Sequence, residues 1–144
     1  MSEDSKTIQF KIVTPEKVVY SEEISQITLP TTVGQITILP GHESLVGVIS
    51  LGEIYLKKKA GGEKSFLVTT EGFVEVDNDE VSIFANSADR VEEMSEKLIL
   101  KAKAEAEEAL KNKENISKVA TVEAEARLKK ELVKLKVLKK RRRG

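Results

Sequence analysis

The hydrophobic pattern of the chain changes its period near residue 90, and this change constrains the fold more than any other feature. Between residues 7 and 85, short runs such as Ile8, Phe10 and Ile12 alternate with polar residues and are separated by turn residues. After Arg90, Ala, Glu, Lys and Leu dominate, and their apolar members recur at steps of three or four. The sequence therefore predicts a strand-rich N-terminal part followed by a helical C-terminal part.

The predicted fold class is α+β, with an N-terminal antiparallel β-sandwich or flattened barrel and a C-terminal two-helix antiparallel hairpin. Nine or so short strands at a spacing of roughly 8–12 residues are typical of a sandwich. Two helical stretches, from Val91 to Lys113 and from about Lys118 to Lys140, are joined by the short link 112–117. We expect two domains, residues 1–88 and 89–144.

The predicted hairpin has narrow apolar stripes. On the first helix the stripe comprises Met94, Leu98, Ala102, Ala106 and Ala109 or Leu110. On the second helix it comprises Ala124, Leu128, Leu132, Leu135 and Leu138. Alanine buries little apolar area, so we expect marginal packing and a hairpin that docks or extends at a cost of a few kcal/mol.

The composition excludes several classes of function. The chain has no cysteine and one histidine, which excludes disulfides, thiolate metal sites and His-rich clusters. It contains no nucleophile–base pattern and no P-loop, so a stand-alone enzyme is not expected. No apolar run is long enough for a membrane span, and the polar N-terminus predicts neither a signal nor a transit peptide. These features predict a soluble, cytosol-like compartment.

The charge is divided between the two predicted domains. Residues 1–90 hold 8 Lys/Arg and 14 Asp/Glu, a net −6, whereas residues 91–144 hold 16 and 10, a net +6. Within the second part, residues 123–144 hold 10 Lys/Arg against 3 Glu. A basic stripe of this kind is usually a solvated face, but it also has the charge needed to bind nucleic acid or anionic lipid.

The central stretch 29–53 places a tight corner between two strands. Pro40-Gly41 is turn chemistry, because proline presets φ and glycine takes positive φ without steric cost. His42, the only histidine, follows this turn directly. From the sequence alone, His42 is best interpreted as a turn residue that hydrogen-bonds a neighbouring backbone group.

This stretch also carries a family resemblance. The pattern G-x-I-x-I-L-P-G-H-x-x-L-V-x-V, followed by G-E-I, resembles the signature region of the epsilon subunit of bacterial-type ATP synthases. The resemblance extends over about residues 7 to 140. It implies a non-catalytic central-stalk (rotor) subunit of a proton-translocating ATP synthase, peripheral at the cytoplasmic face of the cell membrane. Its partners would be the gamma subunit, the c-ring and the alpha/beta catalytic head.

The resemblance also implies partner-contact residues. The corner Pro40, Gly41 and His42 would face gamma, and the loop Val33, Gly34 and Gln35 would face the c-ring. Gln35 stands where family members often have a glutamate. When the second helix extends, it would contact an acidic segment of the beta subunits and oppose ATP hydrolysis. The residues that would make this contact are Arg127, Lys129, Lys130, Lys134 and Lys136.

An ATP-binding motif of many family members is degenerate in this chain. Ser95 stands at the position of its aspartate and Leu98 at the position of its arginine. These changes remove a hydrogen-bonding acid and its charged partner, so we expect weak or absent ATP binding, no cofactor and no metal.

Two other classes of protein remain open from the residues alone. The first is a β-sandwich binding module whose basic helical tail binds nucleic acid or an anionic membrane. Against nucleic acid, the tail lacks aromatic residues for stacking and the sandwich is acidic. The second is a small hydrolase, which would need a polar cleft that the sequence does not indicate.

Overall fold

A computed structural model describes residues 6–58 and 62–143, and these form two compact units, 1–90 and 91–144. The first unit contains nine strands within the described residues, and the second contains two α-helices. The strands are β1 Ile8–Val13, β2 Val18–Thr31, β3 Gly34–Ile38, β4 Leu45–Ile49, β5 Gly52–Lys58, β6 Lys64–Thr69, β7 Gly72–Asp77, β8 Glu80–Ala85 and β9 Ala88–Arg90. The helices are α1 Glu96–Lys111 and α2 Lys118–Arg143. The α+β prediction, a sandwich followed by two helices, is confirmed.

The long strand β2 takes part in both layers of the sandwich. The polar residues 21–23 between Tyr20 and Ile24 favour two short strands, but β2 runs unbroken with a pairing irregularity between Ile24 and Gln26. Its first half pairs with β1, and its second half pairs with β3 and β5. One layer continues from β5 through β6 to β9, and the other continues from β1 through β8 and β7 to β4. Pairing of Thr31 with Ile49 joins β2 to β4.

The sheet is mixed rather than wholly antiparallel, because β1 and β8 pair in parallel. The neighbouring hairpin β7–β8 follows the predicted pairing, with Val74 opposite Ile83 and Val76 opposite Val81. Strand β9 pairs with β6, so the sheet continues beyond residue 88, where the domain boundary was predicted.

The inward side chains of both layers form one largely aliphatic core. Phe10 and Tyr20 contribute the aromatic part, with ring centroids 5.4 Å apart at a tilted angle. Alternation along each strand sends every second side chain inward, as the sequence predicted. The other fully or almost fully buried members include Ile8, Ile12, Ile24, Ile27, Leu29, Ile38, Ile49, Ile54, Leu56, Leu67, Val74 and Ile83.

Helix α1 begins later than predicted because Ser95 caps it. The Ser95 hydroxyl accepts a hydrogen bond from the Leu98 N–H at 3.3 Å, which satisfies one of the free donors of the first turn. Residues Val91–Glu93, predicted as helix, form a single 3₁₀ turn instead. The connection between the helices lies at 112–117, as predicted, and contains a second 3₁₀ turn.

Two residues predicted on the inward stripes are exposed. Leu98 is 65% exposed and Leu132 is 44% exposed, so these assignments were wrong. Ile99 and Glu131 are buried in their place. The first stripe was counted from Met94, which lies outside α1, and it fails at Leu98 but holds at Ala106, which is buried. On α2, the buried face follows steps of four and three that place residue 131 inward.

Candidate docking surfaces

The Pro40–His42 corner is a hydrogen-bonded turn. Gly41 has φ +87°, in the left-handed region that favours glycine. The His42 N–H donates to the Leu39 carbonyl at 3.1 Å, which closes the turn. The His42 Nδ1 lies 2.7 Å from the Glu43 carbonyl oxygen. The histidine therefore contacts backbone, as its interpretation as a turn residue requires.

Two aspartates of the β7–β8 turn hold this corner in place. The Gly41 N–H donates to Asp79 Oδ1 at 2.6 Å, and the Ser44 hydroxyl donates to Asp77 Oδ1 at 2.6 Å. The turn that carries them has positive φ at Asn78 and Asp79, 49° and 62°, which short polar residues tolerate. Carboxylates in a hairpin loop are usually no more than solvated. The contacts of Asp77 and Asp79 instead fix the corner to a neighbouring hairpin.

A row of apolar side chains crosses five strands on the outer face of the same layer. The register aligns Val48 with Phe73, Phe73 with Phe84, Phe84 with Val13, and Val13 with Val18. Phe73 is 58% exposed, Val18 57%, Val48 46% and Phe84 41%. We call these five residues the apolar row. An exposed contiguous apolar surface of this kind indicates a protein-interaction site.

The surroundings of the apolar row are polar on one side and grooved on the other. The next aligned row on one side starts at the exposed Val46 and is otherwise polar. Its register pairs Val46 with Glu75, Glu75 with Ser82, and Ser82 with Lys11. On the opposite side, Phe73 and Phe84 help to line an open groove that also includes Pro15. The apolar surface is therefore bounded, as interfaces with an apolar centre and a polar rim are.

Sequence reasoning missed the apolar row. The run Leu45–Ile49 is apolar on both faces, which favours a core strand, but Val46 is 75% exposed. Alternation in β7 and β8 gave a usable signal, because it places Phe73 and Phe84 opposite to the buried valines and isoleucine of those strands. Alternation alone does not show that the two rings lie side by side with Val13.

The predicted ring-facing loop is the turn between β2 and β3. Val33 is 92% exposed at its tip, and Gln35 is exposed and pairs with Pro30. Gly34 has φ +120°, and its carbonyl accepts a hydrogen bond from the Thr31 hydroxyl. The loop therefore holds an apolar side chain away from the sheet on a fixed turn.

The predicted cations of α2 divide into two groups in the folded hairpin. Arg127 donates to Glu105 of α1 at 3.0 Å, and the Lys134 ammonium lies 3.5 Å from the carboxylate of the buried Glu131. Of the other three cations, Lys129 and Lys136 are exposed and Lys130 is half-buried.

The structure places the two residues of the degenerate nucleotide motif at the start of α1. Ser95 is committed to capping the helix, and the Leu98 side chain is exposed. Within residues 6–58 and 62–143, no cluster of His, Asp and Glu side chains is arranged to hold a metal ion. Over the same residues, no helix is long and apolar enough to cross a membrane.

Comparisons with known proteins identify the class of the first unit. Residues 7–91 match the family described as ATP synthase, Delta/Epsilon chain, beta-sandwich domain. The chain is 38% identical to the ATP synthase epsilon chain of Dehalococcoides mccartyi over 94% of both chains. It is 36% identical to that of Herpetosiphon aurantiacus, over 94% of this chain and 96% of the relative.

Solved structures share the fold. A chain of the Euglena gracilis mitochondrial ATP synthase, in a structure of OSCP, F1 and c-ring, superposes with a TM-score of 0.65 at 24% identity. The match covers 85% of this chain and 75% of that one. A chain from the central stalk and c-ring of the Tetrahymena thermophila mitochondrial ATP synthase gives a TM-score of 0.57 at 16% identity, covering 91% and 96%.

The fold and the comparisons together define a small β-sandwich subunit of rotary ATP synthases that carries a helical hairpin. The chain belongs to the ATP synthase epsilon chain family, and it is a non-catalytic subunit of that complex.

Proposed function

We propose that this epsilon chain is a rotor subunit of the central stalk of a proton-translocating ATP synthase. Residues 1–88 form its rotor-docking domain, which couples rotation of the c-ring to the catalytic head through gamma. Residues 89–144 form a mobile arm that opposes ATP hydrolysis. The subunit is peripheral, held at the cytoplasmic face of the membrane through the complex. The central-stalk structure with the same fold supports this assignment.

The apolar row is the observation that carries the proposal. Gamma docks on it, and the corner Pro40–His42 lies at the start of β4, the strand that contributes Val48. A sheet with a packed aliphatic core is rigid, so a partner bound to its outer face follows it in rotation. The hydrogen bonds from Gly41 and Ser44 to the β7–β8 turn join the corner to the strands of the row.

Replacing the Phe73 side chain of the apolar row tests whether gamma docks there. Phe73 is 58% exposed, which leaves roughly 100 Å² of its surface to bury against a partner. At about 25 cal/mol per Å² that burial contributes about 2.5 kcal/mol, so Phe73→Ser should weaken gamma binding by about 10- to 100-fold. Val119→Ser is the control, because Val119 is 67% exposed on α2 and outside the docking surface. Equal gamma affinity of the two variants in titration calorimetry would refute the assignment.

The turn between β2 and β3 is the proposed contact with the c-ring. Val33 offers an apolar tip, and Gln35 offers hydrogen bonds without charge. Val33→Asp should reduce proton-driven ATP synthesis in reconstituted vesicles while gamma binding stays intact. Unchanged synthesis would place the ring contact elsewhere.

The proposed inhibitory arm uses the basic face of α2. Lys129 and Lys136 are exposed in the folded hairpin, and separation of the helices releases Arg127 from its bond to Glu105 of α1. Lys134 keeps its pair with Glu131, which lies on the same helix. Reconstitution with and without residues 91–144 tests the arm, with Lys129→Glu/Lys136→Glu as a variant that keeps the helices. ATP hydrolysis should rise in both cases. An unchanged rate would remove the inhibitory role and leave rotor coupling intact.

A further inference from the structure

A carboxylate is buried on the face of α2 that carries its apolar stripe. Glu131 is 4% exposed, and it is the one charged residue among the buried residues of the described part of the chain. It follows Ala124 and Leu128 and precedes Leu135 and Leu138 at steps of three or four, which is one helix face. The pattern of this stripe predicts an apolar residue at position 131.

The cation nearest to Glu131 among the described ion pairs lies on the same helix. The Lys134 ammonium is 3.5 Å from the Glu131 carboxylate, and its side chain is 15% exposed. Because both residues belong to α2, this pair is not broken when α2 leaves α1. What changes on separation is the hydration of the two charges.

Few apolar side chains of the two helices are buried, and two of them are alanines. They are Ile99 and Ala106 on α1 and Ala124, Val137 and Leu138 on α2. Two ion pairs cross between the helices, Arg127–Glu105 at 3.0 Å and Arg142–Glu96 at 3.5 Å. Their side chains are about half exposed, and such pairs contribute little net stability. A desolvation cost at Glu131 is therefore large relative to the contacts that hold the hairpin closed.

We propose that Glu131 sets the balance between the closed and the open hairpin. In many proteins the desolvation cost of a buried ion pair exceeds the Coulombic attraction between its two charges. Apolar residues of similar volume at the same positions are often more stabilising. The carboxylate thus lowers the stability of the closed hairpin, and it is hydrated again when the helices separate. This inference rests on the proposed arm, for which it names the residue that makes opening easy.

Hydrogen exchange of the full-length subunit tests the balance directly. Glu131→Leu should slow amide exchange in the segments of α1 and α2 that face each other by about tenfold. The matched control is Glu125→Leu, the same change at an exposed position of the same helix, and its exchange should stay within about twofold of the unmodified protein. Exchange as fast in Glu131→Leu as in the control would overturn the proposal.

A second pair of variants removes both charges of the Glu131–Lys134 pair. In Glu131→Leu/Lys134→Met neither the carboxylate nor the ammonium is present. Its control is Glu125→Leu/Lys129→Met, which removes two exposed charges. Slower exchange in the first double variant alone supports the proposal, and equal exchange in the two contradicts it even if the single variant is poorly folded.

ATP hydrolysis by the reconstituted complex separates this inference from the proposed function. A hairpin held closed by Glu131→Leu should inhibit less, so hydrolysis should rise by a few-fold. Slower exchange with unchanged hydrolysis would support the role of Glu131 in opening and contradict the inhibitory arm. Unchanged exchange would overturn the role of Glu131 whatever the hydrolysis rate.

Discussion

Gly72 is the position where the sandwich should be least tolerant of an added methyl group. It begins β7 opposite Ala85 of β8. A Cβ at this position would lie 2.0 Å from the Phe84 carbonyl oxygen and 3.0 Å from the Ala85 Cα. Both neighbours are backbone atoms of a paired strand, so no side-chain rotation relieves the clash. Gly72→Ala requires β7 and β8 to move apart by roughly 1 Å.

The cost follows from the packing of this hairpin. Overpacking in a well-packed core costs about 1–3 kcal/mol, and a backbone clash belongs at the top of that range. Replacing glycine returns about 0.5–1 kcal/mol through the entropy of the unfolded chain. We therefore expect Gly72→Ala to lower the free energy of unfolding of the sandwich by about 2 kcal/mol. With a urea dependence of about 1–1.5 kcal/mol per M, the midpoint should fall by about 1.5–2 M.

Tyrosine fluorescence during urea unfolding measures this change in the sandwich alone, because Tyr20 and Tyr55 both lie in the first unit. Gly47→Ala is the control, since its Cβ would meet the side-chain atoms Val74 Cγ1 at 3.3 Å and Leu45 Cδ1 at 3.5 Å. These atoms can shift, so the expected loss is below about 1 kcal/mol. Equal midpoints for the two variants would refute the argument from backbone contact.

Three further predictions concern single contacts. Asp79→Ala removes the acceptor of the Gly41 N–H and should destabilise the sandwich by about 1–3 kcal/mol in urea unfolding, whereas Asp79→Asn, which keeps an acceptor and tolerates positive φ, should lose less than half of that. Ile99→Ala should melt the hairpin at lower temperature by circular dichroism, at a cost of about 2–4 kcal/mol, and Leu98→Ala should leave its melting unchanged; the reverse order would contradict the observed helix phase. Calorimetry should detect no ATP binding to the unmodified chain, and Ser95→Asp/Leu98→Arg should introduce it; micromolar affinity without these changes would overturn the expectation.

The sequence predicted which residues of the sandwich lie inward better than it predicted which strands are neighbours. Alternation placed Ile8, Phe10 and Ile12 in the core, and the short β7–β8 turn fixed a local pairing. The parallel pairing of β1 with β8 joins residues about 70 positions apart, and no local pattern encodes it. This pairing also joins Val13 and Val18 to Phe84 in the apolar row, so no local pattern shows the full extent of that row.

The hairpin shows a different limit. Helix periodicity was clear enough to predict two helices and the link between them, but the phase of each stripe depended on where the helix begins. The capping contact of Ser95 starts α1 at Glu96, and within this helix Ile99 is buried whereas Leu98 is exposed. On α2 the choice lay between Leu132 and Glu131, and hydrophobicity alone favoured the leucine. A buried charge is the exception that a pattern of apolar residues does not predict.

The proposed docking surface of the sandwich depends on the β1–β8 register itself. Because side chains alternate between the two faces of a strand, a shift of one residue in this pairing would turn Phe84 toward the core or Val13 away from the row. The core therefore protects the surface, since any register that exposes Ile12 or Ile83 is strongly disfavoured by the loss of burial. The same side-chain packing that stabilises the fold also aligns Val48, Phe73 and Phe84 on the outside. A substitution such as Ile83→Ala should accordingly weaken gamma binding only to the extent that it unfolds the sandwich, whereas Phe73→Ser should weaken gamma binding with the fold intact.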